Sequence, residues 1–370
     1  DKVYQITNTG ETKINLSGVY NSGATLPSGN LNYQGDIWMD INGGAFGIIA
    51  GGVTNEWSTK LQTSTLTGDT HVQLSGDATA EHVIGGNNKG ASTTLTGNTN
   101  VTVKDNAIVA GAIIGGSTSA HNAVTTITGN TSVLVTNVQY SNTAQNLDGG
   151  LSNSYIIGGS SWSSNTTSGT TIQGSTSATI NLNGITLSGT EEHNSFVKTI
   201  IGGSYGNVNN AGTVNNINGD TSVSIIGREG ITFTGDIIGG SFENSGQAQY
   251  TIGGNSSISI SGGSTFTGNI YGGSYSKVPG NTGSTMTTAG NITVELGTGT
   301  YRGNIYGAGN KGTAGGDVLV SLTGGSVFGA EGEQSGITVG GSAGAAVEGN
   351  RTLELKGTFG DADFQYASFT

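Results

Sequence analysis

The feature that most constrains this chain is a repeat. A glycine followed by Asp, Asn or Ser opens ten similar units, at Gly35, Gly68, Gly97, Gly129, Gly174, Gly219, Gly254, Gly290, Gly316 and Gly349, about 35 residues apart on average, a period that marks stacked repeat architectures. Four residues after each glycine stand Met39, Val72, Val101, Val133, Ala178, Val223, Ile258, Val294, Val320 and Leu353. Six residues after it stand Ile41, Leu74, Val103, Val135, Ile180, Ile225, Ile260, Leu296, Leu322 and Leu355. The residue between is polar in every unit except at Leu134. Such alternation is the signature of a strand with one buried face.

A second anchor follows in each unit, as in Ile113-Ile114-Gly115-Gly116, Ile156-Ile157-Gly158-Gly159, Ile200-Ile201-Gly202-Gly203 and Ile237-Ile238-Gly239-Gly240. Between the anchors several units carry another short strand-like piece, such as Thr265-Phe266 and Thr300-Tyr301. One such unit cannot bury its apolar stripe alone. Stacked units can, each strand pairing in parallel with its copy in the next. The expected fold is therefore all-β, a right-handed parallel β-helix of about ten coils, the hand following from the preference of parallel crossovers. Ten coils spaced by about 4.8 Å give a rod roughly 45–50 Å long. Residues 1–34 read as an N-terminal segment, a candidate capping coil, and 35–370 as the helix proper.

Composition narrows the chemistry. With no Cys, disulfide scaffolds, cysteine-zinc sites and thiol catalysis drop out. A net charge of −12 disfavours a phosphate backbone or an anionic membrane as partner. The Asx residues after the anchor glycines, Asp36, Asp69, Asn98, Asn130, Asp220, Asn255, Asn291, Asp317 and Asn350 with Ser175 among them, read as a corner ladder of side-chain hydrogen bonds rather than a calcium row. No metal or cofactor is expected. The four His, at 71, 82, 121 and 193, fall at different unit positions. Asp361 and Asp363 stand close together near the chain end, without a matching Arg or His, so an acid–base pair for glycan cleavage is not indicated.

The repeated Gly-Asn-Thr-x-Val-x-Val and Ile-Ile-Gly-Gly-Ser segments, on a Cys-free acidic chain rich in Ser, Thr and Asn, resemble the passenger region of Gram-negative autotransporter (type V secretion) adhesins. The resemblance spans about residues 35–360. It implies a surface rod, exported across the outer membrane, that mediates cell–cell aggregation, biofilm formation or host attachment. The partners it implies are other bacterial cells, host surface glycans or proteins, or its own copies. A polysaccharide-active enzyme or depolymerase on the same coil, and a stalk that binds nothing, are the alternatives.

Binding residues are sought where the unit lengthens, because insertions in solenoids project without disturbing the core. Anchor glycine to Gly-Gly spans about 17 residues in typical units, but about 29 from Gly129 to Gly158 and 28 from Gly174 to Gly202. The two insertions, near 137–153 and 190–199, fall in adjacent coils and offer Tyr140, Asp148, Tyr155, Glu191, Glu192, His193, Phe196 and Lys198. Packing of the two loops on each other is the competing reading. A second candidate is the aromatic after Gly-Gly-Ser, Tyr205, Phe242 and Tyr275, with Trp162 one place later in its unit. These rings suit either a platform for a partner or, the more ordinary arrangement, a self-packing ladder.

Overall fold

The computed structural model describes residues 2–7, 14–17, 29–53, 61–88, 92–119, 124–138, 155–162, 169–185, 195–196, 198–207, 213–244, 248–277, 285–342 and 344–370. Its strands assemble into a parallel β-solenoid with sheets of eleven, twelve, ten, five and five strands running along one axis. The eleven-stranded sheet holds the Val-x-Val segments. Thr99–Lys104 pairs with Thr70–Leu74 on one side and Thr131–Thr136 on the other, so that Val72, Val101 and Val133 stand in one column. The column continues through Ala178, Val223, Ile258, Val294 and Val320 to Leu353. Residues 1–34 add a further rank, Lys2–Thr7 pairing with Ile37–Gly43 from Lys2↔Ile37 onward.

Burial follows the alternation. Val101 and Val103 are buried while Asn100, Thr102 and Lys104 face outward. The first Ile of these four pairs, at Ile113, Ile156, Ile200 and Ile237, enters the same core. The second, at Ile114, Ile157, Ile201 and Ile238, lies on the outside of the coil wall and packs in a separate apolar cluster with Tyr155, Tyr205 and Phe242. The short pieces between the anchors form a five-stranded sheet from Ser195–Phe196 to Val327–Phe328. Their inward rings make a column, Phe196–Phe233–Phe266–Tyr301–Phe328–Phe364, with centroids 4.9–5.3 Å apart. Phe266→Ala is expected to cost about 3–5 kcal/mol, read as a lowered denaturant midpoint; a loss below about 1 kcal/mol would mean that the column does not pack as described.

The corners are held by three hydrogen-bonded rows. At the anchor, each Asx or Ser side chain accepts the backbone N–H of the residue one coil on, in nine consecutive steps of 2.7–3.0 Å from Asp36 to Asn350. The expected ladder is present. A second Asx row, Asp236–Asn269–Asn304, does the same and ends on the Gly336 N–H. After Gly-Gly, Ser117, Ser160, Ser204, Ser241 and Ser274 each accept the N–H of the equivalent residue one coil earlier, at 3.0–3.2 Å. Here the direction is reversed. Asn255→Ala removes one acceptor from an exposed row and is expected to cost about 1 kcal/mol, measurable by thermal unfolding.

The Gly-Gly anchor is a waist. Its backbone packs directly on the long sheet: a Cβ on Gly115 would lie 2.3 Å from the Gly158 carbonyl oxygen and 3.0 Å from the Ser132 nitrogen. Across this waist, buried hydroxyls of Thr70, Thr99, Thr131 and Thr176, then Ser256, donate to carbonyl oxygens of the first glycine of an anchor, at 2.5–2.7 Å. They share the inward parity of the Val-x-Val positions. A buried hydroxyl is tolerated there because the backbone oxygen satisfies it.

Candidate functional site

The residues singled out near the insertions separate into two groups. Tyr140, Asp148, Glu191, Glu192 and His193 lie outside the described residues. Those at the roots are inside the wall. Tyr155 and Phe196 are each 2 % exposed, the first over the Ile114–Ile157 cluster, the second opening the aromatic column. Lys198 is equally buried. Its Nζ donates to the carbonyl oxygens of Gly111 at 2.6 Å and Ala110 at 3.3 Å, both far earlier in the chain. Desolvation pushes its pKa down to about 7, since burial disfavours the charged ammonium. Its place in the fold is that of a strut across the coils that bear the insertions.

The aromatics after Gly-Gly-Ser do stand in a row. Tyr155–Tyr205 centroids are 4.6 Å apart, Tyr205–Phe242 5.4 Å and Phe242–Tyr275 5.2 Å. Trp162 occupies the strand Ser161–Trp162, paired with the Tyr205–Gly206 strand so that Trp162 is opposite Gly206 and Ser161 opposite Tyr205. Tyr205 and Phe242 are buried against the outer Ile residues. Tyr275 is half-buried.

The residue behind the row is also sequestered. Glu243 is fully buried and accepts a 2.6 Å hydrogen bond from the Tyr250 hydroxyl. Gly206 makes space for that hydroxyl, which would stand 1.7 Å from a Cβ there. Burial beside the Glu243 carboxylate raises the Tyr250 pKa, so the phenol stays a donor. This polar pair joins the aromatic wall to the ten-stranded sheet.

No family model, curated protein or solved structure matches this chain. What the site can do is therefore read from its own geometry. Toward the C-terminal coils the floor beneath the aromatic wall changes from Ile to Tyr. Tyr271 touches Tyr275 at 4.4 Å and stacks on Tyr306 at 5.1 Å with the rings 8° from parallel. Beside this floor runs the second Asx row, Asp236, Asn269 and Asn304, all half-buried. Burial raises the Asp236 carboxyl pKa, opposed by the hydrogen bonds it accepts from Asn269 and by nearby Lys277. The result is an aromatic groove whose open surface comes from half-buried Tyr275 and Tyr306, with Tyr271 buried against both and amides along one edge.

In the sequence, Tyr271 and Tyr306 stand only as variants of the Ile-Ile anchor. The signal is nonetheless there: a Tyr replaces Ile at the outward position in two successive units. Elsewhere, Trp38 and His71 stack on the outward face of the long sheet, with centroids 3.6 Å apart. Among the described residues no group of three His, Asp or Glu could hold a metal ion.

Proposed function

We propose that this chain is the passenger rod of an autotransporter-type adhesin, carried on the cell surface and attaching to other cells, to host-surface glycans or proteins, or to its own copies. The observation that supports this reading best is how the polar residues divide. Asx, Ser and Thr at the corners and waist are engaged in stacking. The outward rows Ser177–Ser222–Ser257 and Thr179–Ser224–Ser259 are held in register one coil apart. Uncharged hydroxyls repeated along a rigid axis favour many weak contacts acting together, the regime in which avidity supplies strength. The groove and the two insertions add places where such contacts become selective.

Beads coated with the chain should aggregate with one another or attach to cells. Removing 139–153 together with 187–193, while keeping the buried roots Val138, Tyr155, Phe196 and Lys198, should leave the thermal transition in place and lower attachment several-fold. Unchanged attachment would move the contact surface away from the insertions. Release of reducing ends from pectins or capsular glycans would replace the adhesin reading with that of a polysaccharide-active enzyme.

A further inference from the structure

Floor and wall of the aromatic groove end one coil apart. On the floor, Tyr271 and Tyr306 are followed in register by Thr338. On the wall, the Tyr275 N–H bonds the Ser241 carbonyl, and the next two coils repeat that bond from Asn310 to Ser274 and from Ser342 to Gly309. The wall column therefore reads Tyr275, Asn310, Ser342. One face of the Tyr306 ring is stacked on Tyr271. Toward the other face the next residue in register is the short Thr338, and among the described residues no second ring contacts Tyr306. One further strand, Ala367–Phe369, pairs beyond the Thr338 strand.

We propose that the step above Tyr306 is a subsite for one pyranose ring of a neutral oligosaccharide. A pyranose presents C–H groups on its face and hydroxyls around its edge, which is the complement of what surrounds the step. The Tyr306 ring offers an aromatic face of the kind that packs against such C–H groups. Polar groups close in register are the Thr338 hydroxyl opposite Tyr306, the Asn304 amide two residues before it, and the Ser342 hydroxyl, which donates to the Asn310 carbonyl at 3.4 Å. The Thr338 Oγ1 shares a 2.7 Å hydrogen bond with the Thr370 Oγ1, and a hydroxyl so engaged still has a lone pair for a sugar hydroxyl. The Asn304 Oδ1 is engaged by the Gly336 N–H at 2.9 Å, which turns its NH2 to donate elsewhere. Asn310 takes no part: its amide both accepts from the Ser276 N–H and donates to the Ser276 carbonyl, fixing the wall. A purely apolar occupant would cover these groups without answering the hydrogen bonds they can make. A small apolar floor with a few convergent polar groups is the usual build of a ligand site.

This inference rests on the adhesin reading, and supplies it with a ligand class. The test is calorimetric titration of the whole chain with chitopentaose and with cellopentaose. Binding of at least one is expected, weakened about tenfold or more, that is by about 1.4 kcal/mol or more, in Tyr306→Ala. Thr338→Tyr is the sharper variant, because it continues the aromatic column into the step: it should abolish binding while leaving the melting temperature unchanged or higher. Leu134→Ala, on a different exposed face, should bind as the parent does. If the parent binds neither sugar, or if both groove variants bind as well as the parent, the subsite is refuted. Bead attachment measured on the same variants keeps the two readings apart. Attachment without sugar binding refutes the subsite and leaves the adhesin reading standing, whereas sugar binding without attachment does the reverse.

Discussion

Gly272→Ala is expected to destabilise the rod by about 3 kcal/mol or more, lowering the thermal midpoint of the whole transition. The added Cβ would lie 2.0 Å from the Gly307 carbonyl oxygen and 2.6 Å from a Val294 methyl. Neither is the tip of a flexible chain. The backbone of the neighbouring coil would have to move, and with it the strand pairs Ile270↔Ile305 and Tyr271↔Tyr306. The waist is backbone packed on backbone, so no rotamer change relieves the clash. Gly332 is the contrasting case, because an added Cβ there would have nothing within 4 Å although φ is +80°. Alanine at that position meets only backbone strain, and a loss of about 1 kcal/mol is expected. Equal losses at the two sites would contradict the waist.

The second large effect is a pH dependence. Lys198 carries a pKa of about 7 in the fold against 10.5 in the unfolded chain. Between those values the unfolded chain binds a proton that the folded chain does not, so stability rises with pH through that window. Below pH 7 the penalty of burying the ammonium is present in full, of order 3–5 kcal/mol. Relative to Lys198→Met, the parent should therefore gain several kcal/mol between about pH 6 and pH 9.5. The Gly111 and Ala110 carbonyls lose their donor in the variant at every pH, so that loss cancels from the slope. Parallel stability curves for parent and variant would show that the amine titrates normally and is not buried.

Much of the fold is legible in the sequence, for a physical reason. Parallel stacking repeats one environment coil after coil, so each column writes the same residue type at the same phase. The Val-x-Val strands, the Asx corner and the Ile-Ile-Gly-Gly anchor are of this kind. The Thr clasp is harder to see, because polarity and inward parity point in opposite directions at Thr99 until the Gly115 carbonyl is known to face it. Lys198 inverts expectation more strongly. A Lys inside an insertion, in a chain poor in charge, reads as a surface contact, yet partners distant in sequence draw it inward. The groove shows a different limit. Tyr205, Phe242 and Tyr275 look alike in the sequence, but the first two have a ring next to them on both sides of the wall, whereas Tyr275 is followed by Asn310 and is half-buried.

The most direct test of the in-register stack is distance between spin labels. The chain has no Cys, so paired cysteines introduced at outward positions label cleanly. Thr102 and Ser259 belong to strands four ranks apart in the eleven-stranded sheet, and Thr102 and Glu354 to strands seven ranks apart. At about 4.8 Å per rank the separations should be roughly 19 Å and 34 Å, in narrow distributions. A broad distribution, or a Thr102–Glu354 distance well away from the expected one, would contradict the parallel solenoid on which every site described above depends.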